Sequence, residues 1–191
     1  MISDEQIGYE LMGIKLFGKN LYQFYKHHIM CLDYKDDVTS SNLTLCKIDL
    51  NHIAEEINPI GTTVTIRNLT RLVRKNAGKC EGFKFIKEEE SIGTIWVMYR
   101  GSDDLEYRIR NFDAYIFDVF VNEAHRGHGY AGEMIHQLMN YLHERGIDTA
   151  CLAVSASNES AVKAYSKAGF RLIKDLRFAR ILKVNIPYHI L

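Results

Sequence analysis

The chain has 191 residues, 47% of them hydrophobic and only two of them proline, which is enough for one sizeable core and too little for two comfortable domains. Lys plus Arg and Asp plus Glu number 24 each, so the basic excess of a protein that grips nucleic acid is missing and no nucleic-acid partner is expected. The opening Met-Ile-Ser-Asp-Glu-Gln has no basic, then apolar signal pattern, and no run approaches the roughly 18 apolar residues of a membrane span, so a cytoplasmic protein without a transmembrane segment is expected.

Residues 5–30 read as helical, with Ile7, Leu11, Ile14, Leu21 and Phe24 near helical spacing and Gly13 and Gly18 as interruptions. A polar loop over 33–42 follows. The simplest partition is an N-terminal helical extension over 1–40 and one domain over 41–191. In that domain the pattern predicts a short strand at 43–48, then a helical region over 51–76 interrupted at Asn58-Pro59-Ile60-Gly61. Strands are predicted at 81–87 and 92–99, with Glu89-Glu90-Ser91 as the turn between them. A further strand at 112–121 is apolar on both faces apart from Asp118, which marks an interior strand. Helix, strand, helix and strand then alternate. Ala131, Ile135, Leu138 and Leu142 form one helical stripe ending near Gly146; Cys151 to Val154 is a strand; a helix runs over 158–168; and a strand begins at Phe170. The fold class is α/β, with an early antiparallel meander and a late β-α-β crossover.

Cys31, Cys46, Cys80 and Cys151 form no C-x-x-C pair and have no histidine at zinc-ligand spacing. Four buried thiols are expected, with no metal.

The most informative stretch is Arg126-Gly127-His128-Gly129-Tyr130-Ala131-Gly132, between an interior strand and an amphipathic helix. Glycines there let the backbone turn tightly and approach a ligand. The free N–H groups of the first helical turn point outward with the positive end of the macrodipole, which makes a cradle for pyrophosphate. Gly127, Gly129 and Gly132 also satisfy G-x-G-x-x-G, but the nucleotide fingerprint does not fit. Five residues separate the strand from the first glycine, the next strand ends at Val154-Ser155-Ala156 with no acid for a ribose, and too few residues follow for a second nucleotide-binding half.

The block from Val121 to Ala131, followed by Asn158-x-x-Ala161-x-x-x-Tyr165-x-Lys167-x-Gly169-Phe170, resembles the GNAT superfamily of acetyl-CoA-dependent N-acetyltransferases. Arg126, Gly129 and Ala131 stand in the defining places of its pyrophosphate loop. The resemblance implies the GNAT fold, a mixed and mostly antiparallel sheet flanked by helices, and acetyl-CoA as co-substrate with no metal. It implies that Gly127, His128, Gly129, Tyr130 and Ala131 hold the pyrophosphate through backbone N–H groups, alongside Arg126. Phe120 and Val121 would offer backbone groups to the pantetheine amides, and Asn158 would bond the same arm. Tyr165, about two helical turns beyond Asn158, would sit near the sulfur as the catalytic residue and donate to the departing thiolate.

A base is also needed, because an amine arrives mostly as ammonium. Some members of the family carry a glutamate at the positions of Ala153 or Phe117. Both are apolar here, strand alternation sets Asp118 on the face of Ile116 and Phe120, and Tyr115 shares the Phe117 face, so the base is not identified. His125 and His128 read as loop residues and His27-His28 as a surface pair. The basic recurrence from Arg171 to Lys183 falls where the family has a β-hairpin. The expected activity is direct acetyl transfer to a small amine or amino sugar, ahead of a protein amino group. The alternative is a GNAT-fold domain that binds acyl-CoA without turnover. Residues 1–40 are expected to pack on the domain or on a second copy in a homodimer.

Overall fold

The computed structural model describes residues 15–16, 19–20, 22–35, 41–102, 112–181 and 184–187. Two short strands, β1 (Lys15–Leu16) and β2 (Lys19–Asn20), pair with each other. The remaining strands are β3 (Tyr22–Asp33), β4 (Thr44–Lys47), β5 (Cys80–Lys87), β6 (Glu90–Tyr99), β7 (Ala114–Val121), β8 (Thr149–Ser155), β9 (Arg171–Ile181) and β10 (Val184–Pro187). They form one eight-stranded sheet in the order β10-β9-β3-β8-β7-β6-β5-β4. Every pairing is antiparallel except β7 with β8, the two strands joined through a helix. Hairpin β9–β10 occupies the basic C-terminal stretch. No helix among the described residues is long and apolar enough to cross a membrane.

The helical reading of residues 5–30 is corrected: Lys15–Leu16 and Lys19–Asn20 are strands, and from Tyr22 to its end at residue 30 the segment belongs to β3. Strand β3 lies in the sheet interior, paired with β8 on one edge and β9 on the other. The run Ile29-Met30-Cys31-Leu32 is apolar at every position and buried throughout, so it carries no period that separates strand from helix; two flanking partners decide the matter. Residues 5–14, the earlier part of that reading, lie outside the described residues.

Helices α1 (Ile53–Ile57) and α2 (Ile66–Lys75) pack on one face of the sheet. Their Ile53, Ile57, Leu69 and Val73 meet Trp96 and Met98. Helices α3 (Tyr130–His143) and α4 (Glu159–Lys167) cover the other face. Met134, Ile135, Leu138, Met139 and Leu142 of α3 are all buried there, each contributing about 1.5–3 kcal/mol of hydrophobic stabilisation. Gly146, at φ 77°, ends the turn after α3 as its position in the sequence predicts, with its N–H donating to the His143 carbonyl.

Between Trp96↔Asp118 and Val97↔Ile116 the β6–β7 register slips by one residue, so Phe117 is the extra residue of a bulge in β7. The bulge breaks the alternation. Ala114, Ile116, Val119 and Val121 pack with α3, whereas Tyr115 and Phe117 pack on the α1/α2 face. Asp118 reaches the segment between α1 and α2, where its carboxylate accepts hydrogen bonds from the Thr62 and Thr63 hydroxyls and the Thr63 N–H. The expectation that Asp118 shares the face of Ile116 is therefore corrected.

Cys31 and Cys151 are bonded as a disulfide, which corrects the expectation of four thiols. Their positions are 120 residues apart in sequence but directly opposite in the β3–β8 register, with Cα atoms 4.1 Å apart. Cys46 and Cys80 remain as thiols. Thiol titration of the denatured, unreduced chain is expected to give two reactive groups, rising to four after reduction; four before reduction would remove the cross-link.

A second buried knot ties the C-terminal part of α3 to the meander. Glu81 accepts from Lys47 Nζ (2.5 Å), Tyr99 Oη (2.5 Å) and Tyr141 Oη (3.1 Å), and Arg145 donates to Tyr141 Oη at 2.7 Å. Burial alone would raise the Glu81 pKa, but these donors overcome it and hold the carboxyl below its usual range. A depressed carboxylate stabilises the fold above its unfolded pKa and loses that contribution as pH falls through the folded value. The thermal unfolding midpoint should therefore fall as pH drops below about 4. Glu81→Leu removes the acceptor of Tyr99, Tyr141 and Lys47 and leaves Tyr141 only its bond from Arg145, and a loss of about 2–3 kcal/mol is expected at pH 7.

Candidate active site

The β7–β8 pairing covers only Ala114↔Ala150, Tyr115↔Cys151 and Ile116↔Leu152. Beyond these pairs the two strands part, although β7 continues to Val121 and β8 to Ser155. Residues 117–121 therefore keep β6 as their only strand neighbour among the described residues. A gap flanked by backbone on a free edge is the result, and peptide-like amides can bond there.

The chain leaves β7 through a 3₁₀ turn at Glu123–His125, which the Asn122 side chain caps by accepting from the Ala124 N–H at 3.2 Å. The backbone bonds of this turn end with the Arg126 N–H on the Glu123 carbonyl and resume with the Gly132 N–H on the Gly129 carbonyl. Among the described residues, the five N–H groups from Gly127 to Ala131 have no backbone partner in between. Gly127 and Gly129 have φ of 83° and 84°, and Gly129 is the N-cap of α3. A Cβ placed on either glycine would meet no atom within 4 Å. Conformation rather than crowding requires glycine here, and the space above the turn is open. Unsatisfied donors, a helix N-terminus and open space together suit an anion.

Side chains brace this turn. Arg126 Nε donates to the Val121 carbonyl at 3.2 Å and its guanidinium lies 5.7 Å from the Phe120 ring centroid, so the loop is pinned to the strand end. The ion pair of Arg126 with Glu123 is exposed and adds little. His125 lies 3.4 Å from Glu90, and His128 Nδ1 lies 3.3 Å from the His125 carbonyl oxygen, so both histidines flank the turn. Lys87, which no motif in the sequence marks for this place, donates to Tyr130 Oη at 3.0 Å and brings a cation beside the first turn of α3.

Gly93 of β6 lies so close to β7 that a Cβ on it would stand 2.1 Å from the Phe120 carbonyl oxygen. Gly93→Ala must displace that backbone. We expect a stability loss of about 1–3 kcal/mol in thermal unfolding, together with weaker ligand binding on the free edge of β7.

Asn158 is the N-cap of α4. Its carboxamide oxygen accepts from the Ala161 N–H at 3.2 Å, so the amide nitrogen is the atom left to face outward. Tyr165 packs from α4 against the core on the α3 side, 5.8 Å from the Phe170 ring. Burial, with a further contribution from the Asp118 charge, pushes its phenol up to about 12. Asp118 itself is 2% exposed, and burial raises its carboxyl above the usual range against the opposing Thr63 and Thr62 bonds. Tyr165 and Asp118 belong to opposite faces of the sheet, and the parting of β7 and β8 leaves no strand between those faces at this end. The structure thus brings Phe120, Val121, Arg126 and residues 127–131 around one turn, with Asn158 and Tyr165 on the helix that follows β8. The threonine-held Asp118 was hidden from the sequence by the bulge.

A model of the acetyltransferase (GNAT) family matches residues 53–170. Among curated proteins, the chain is 39% identical over 61 residues to a ribosomal-protein-alanine N-acetyltransferase of Haemophilus ducreyi, covering 32% of this chain and 42% of that protein. It is 28% identical over 86 residues to an uncharacterized N-acetyltransferase of Bacillus subtilis, covering 45% and 51%. It thus spans about half or less of the length of these relatives. Among solved structures, one described as a GNAT-family acetyltransferase from Novosphingobium aromaticivorans superposes with a TM-score of 0.54 at 16% identity, covering 82% of this chain and 63% of that one. That likeness shows the fold.

Proposed function

Because the chain belongs to the acetyltransferase (GNAT) family, we propose that it moves an acetyl group from acetyl-CoA to a primary amine by direct transfer, with a small amine or amino sugar as acceptor. The observation that carries this reading is the five-donor turn at residues 127–131 standing beside the free edge of β7. The two features match the two parts of acetyl-CoA that must be gripped, a pyrophosphate and an amide-bearing arm.

Acetyl-CoA would supply the activated acetyl group; the chain supplies position and polarity. Backbone N–H groups from Gly127 to Ala131 would hold the pyrophosphate, with Arg126 fixing the loop and Lys87 adding positive charge nearby. Backbone groups of Phe120 and Val121 would bond the pantetheine amides, and the Asn158 amide nitrogen would donate to the same arm. Tyr165 would stand at the sulfur. With its pKa raised to about 12, the phenol stays protonated across the working range and acts as a hydrogen-bond donor to the departing sulfur rather than as a free proton source. Preorganised donors of this kind cost no reorganisation when charge develops.

The test is release of CoA thiol from acetyl-CoA with a panel of an alkylamine, an amino sugar, a peptide N-terminus and hydroxylamine. Amine-dependent release is expected. Tight acetyl-CoA binding with no release from any acceptor would overturn this reading in favour of a non-catalytic acyl-CoA-binding domain.

A further inference from the structure

We propose that Asp118 is the general base that takes the proton from the acceptor ammonium, through its Oδ2 atom, with Thr62 and Thr63 as the residues that position it; the assignment rests on the acyl-transfer reading above. Asp118 stands on β7 two residues beyond Ile116, the last residue of that strand to pair with β8, so it lies beside the gap where the strands part. The bulge at Phe117 aims its side chain to the α1/α2 face, whereas Tyr165 packs on the α3/α4 side. An acceptor nitrogen entering the gap from the first face would meet the carboxylate, and the thioester sulfur would lie at the phenol on the other.

The segment between α1 and α2 holds the carboxylate in one orientation. It lies directly on β7, since a Cβ on Gly61 would stand 2.5 Å from the Phe120 ring. Oδ1 accepts twice, from the Thr63 N–H at 3.3 Å and from the Thr63 hydroxyl. Oδ2 accepts once, from Thr62 Oγ1 at 2.7 Å. The Val64 N–H donates to the same Thr62 oxygen at 3.3 Å, which leaves the Thr62 proton to point at Asp118. A carboxylate oxygen offers two acceptor sites, so among the described residues Oδ2 keeps one for an incoming proton.

The groups that face Asp118 are the two threonines, Trp96 directly across on β6, Tyr115 on its own strand, the Phe120 ring with the Arg126 guanidinium over it, and the Tyr165 phenol from α4. Among the described residues no cation forms an ion pair with it, and burial outweighs the threonine bonds and raises its carboxyl above the usual range, in the direction a base for an amine requires. Its charge is also one of the causes that hold the Tyr165 phenol at about 12. Once Asp118 takes a proton that charge is gone, and the phenol becomes a stronger donor as the sulfur departs.

The proton balance closes without another reactant. Asp118 Oδ2 takes one proton from the ammonium, the amine nitrogen forms the new C–N bond as the C–S bond breaks with its electron pair going to sulfur, and the nitrogen sheds its second proton as the amide forms. Asp118 returns to the carboxylate by passing its proton to water beside Thr63, which is exposed. The net products are the amide, CoA as thiol and one proton released to solvent.

The experiment uses the full chain and compares the panel alkylamine with hydroxylamine, which is already unprotonated at pH 7.5 and needs no base before attack. In the wild type, kcat/KM for the alkylamine should fall as pH drops through one ionisation that lies above the ordinary Asp value of about 3.9. Asp118→Asn should lose about 10²-fold with the alkylamine at pH 7.5 and lose that ionisation, while keeping its hydroxylamine rate within about threefold and its acetyl-CoA affinity unchanged. Thr62→Val keeps the charge and the Thr63 bonds but removes a bond that lowers the carboxyl, so the ionisation should move up by about 0.5–1 pH unit. This second variant decides the matter independently of the first. Equal losses with both acceptors, survival of the ionisation in Asp118→Asn, or an unmoved ionisation in Thr62→Val would overturn the assignment while leaving the transferase reading in place. A wild type that releases no thiol with any acceptor would overturn both.

Discussion

Gly129→Glu is expected to weaken acetyl-CoA binding by more than 100-fold while leaving a folded protein. Three effects act together. A non-glycine residue at φ 84° costs about 1–2 kcal/mol in the cap that starts α3. The new side chain occupies the space above the turn, which is open within 4 Å of the Cβ position. Its carboxylate also neutralises the positive end of α3, where the pyrophosphate would lie. Gly129→Ala separates these effects: it keeps the strain without the charge, and a loss of about 10-fold is expected from the strain alone. Gly132→Ala is the control. Gly132 lies inside α3, its N–H already bonds the Gly129 carbonyl, and a Cβ there meets no atom within 4 Å. Unchanged affinity and about 0.5–1 kcal/mol of added stability are expected. Isothermal titration with acetyl-CoA and thermal unfolding together read all three variants.

Tyr165→Phe is expected to lower kcat about 10²-fold with acetyl-CoA affinity within about threefold of wild type. The ring remains to fill its place beside Phe170, so packing is kept and only the hydroxyl is lost. A phenol held at about 12 also predicts what the pH profile should lack: no loss of activity attributable to Tyr165 ionisation should appear below about pH 10. Asp118→Asn moves the same group in the opposite direction. Removing the buried charge removes one of the causes that raise the phenol, so the Tyr165 titration, followed by ultraviolet absorbance, should shift downward. A loss of affinity equal to the loss of kcat in Tyr165→Phe would assign the tyrosine to binding instead.

Much of this arrangement was legible in the sequence, for identifiable reasons. The elements from residue 80 onward carry clear periods and punctuation: alternating or continuous β-formers in β5 to β7, a helical stripe in α3, and glycines at 146 and 169 that adopt positive φ where the helices end. The 127–131 turn announces itself because its glycines are required by local conformation, which sequence reports directly. What was not legible depends on pairing between distant segments. The stretch Ile29 to Leu32 of β3 is apolar on both faces because it is interior, and that erases the period that would have distinguished it from a helix. The disulfide depends on the β3–β8 register, and 120 residues of separation hide it. The Phe117 bulge reverses the face of Asp118 and shows only in the register of β7 against its distant partner β6.

The central claim is that one turn of backbone donors and the adjoining free strand edge hold acetyl-CoA. Titration of the isotope-labelled chain with CoA, followed by amide nitrogen–proton correlation spectra, reads both parts residue by residue. The account predicts that the largest shifts fall on the amides of Gly127 to Ala131 and of residues 117–121, saturating together as a single site. Shifts concentrated elsewhere in the sheet, or none at millimolar CoA, would contradict it.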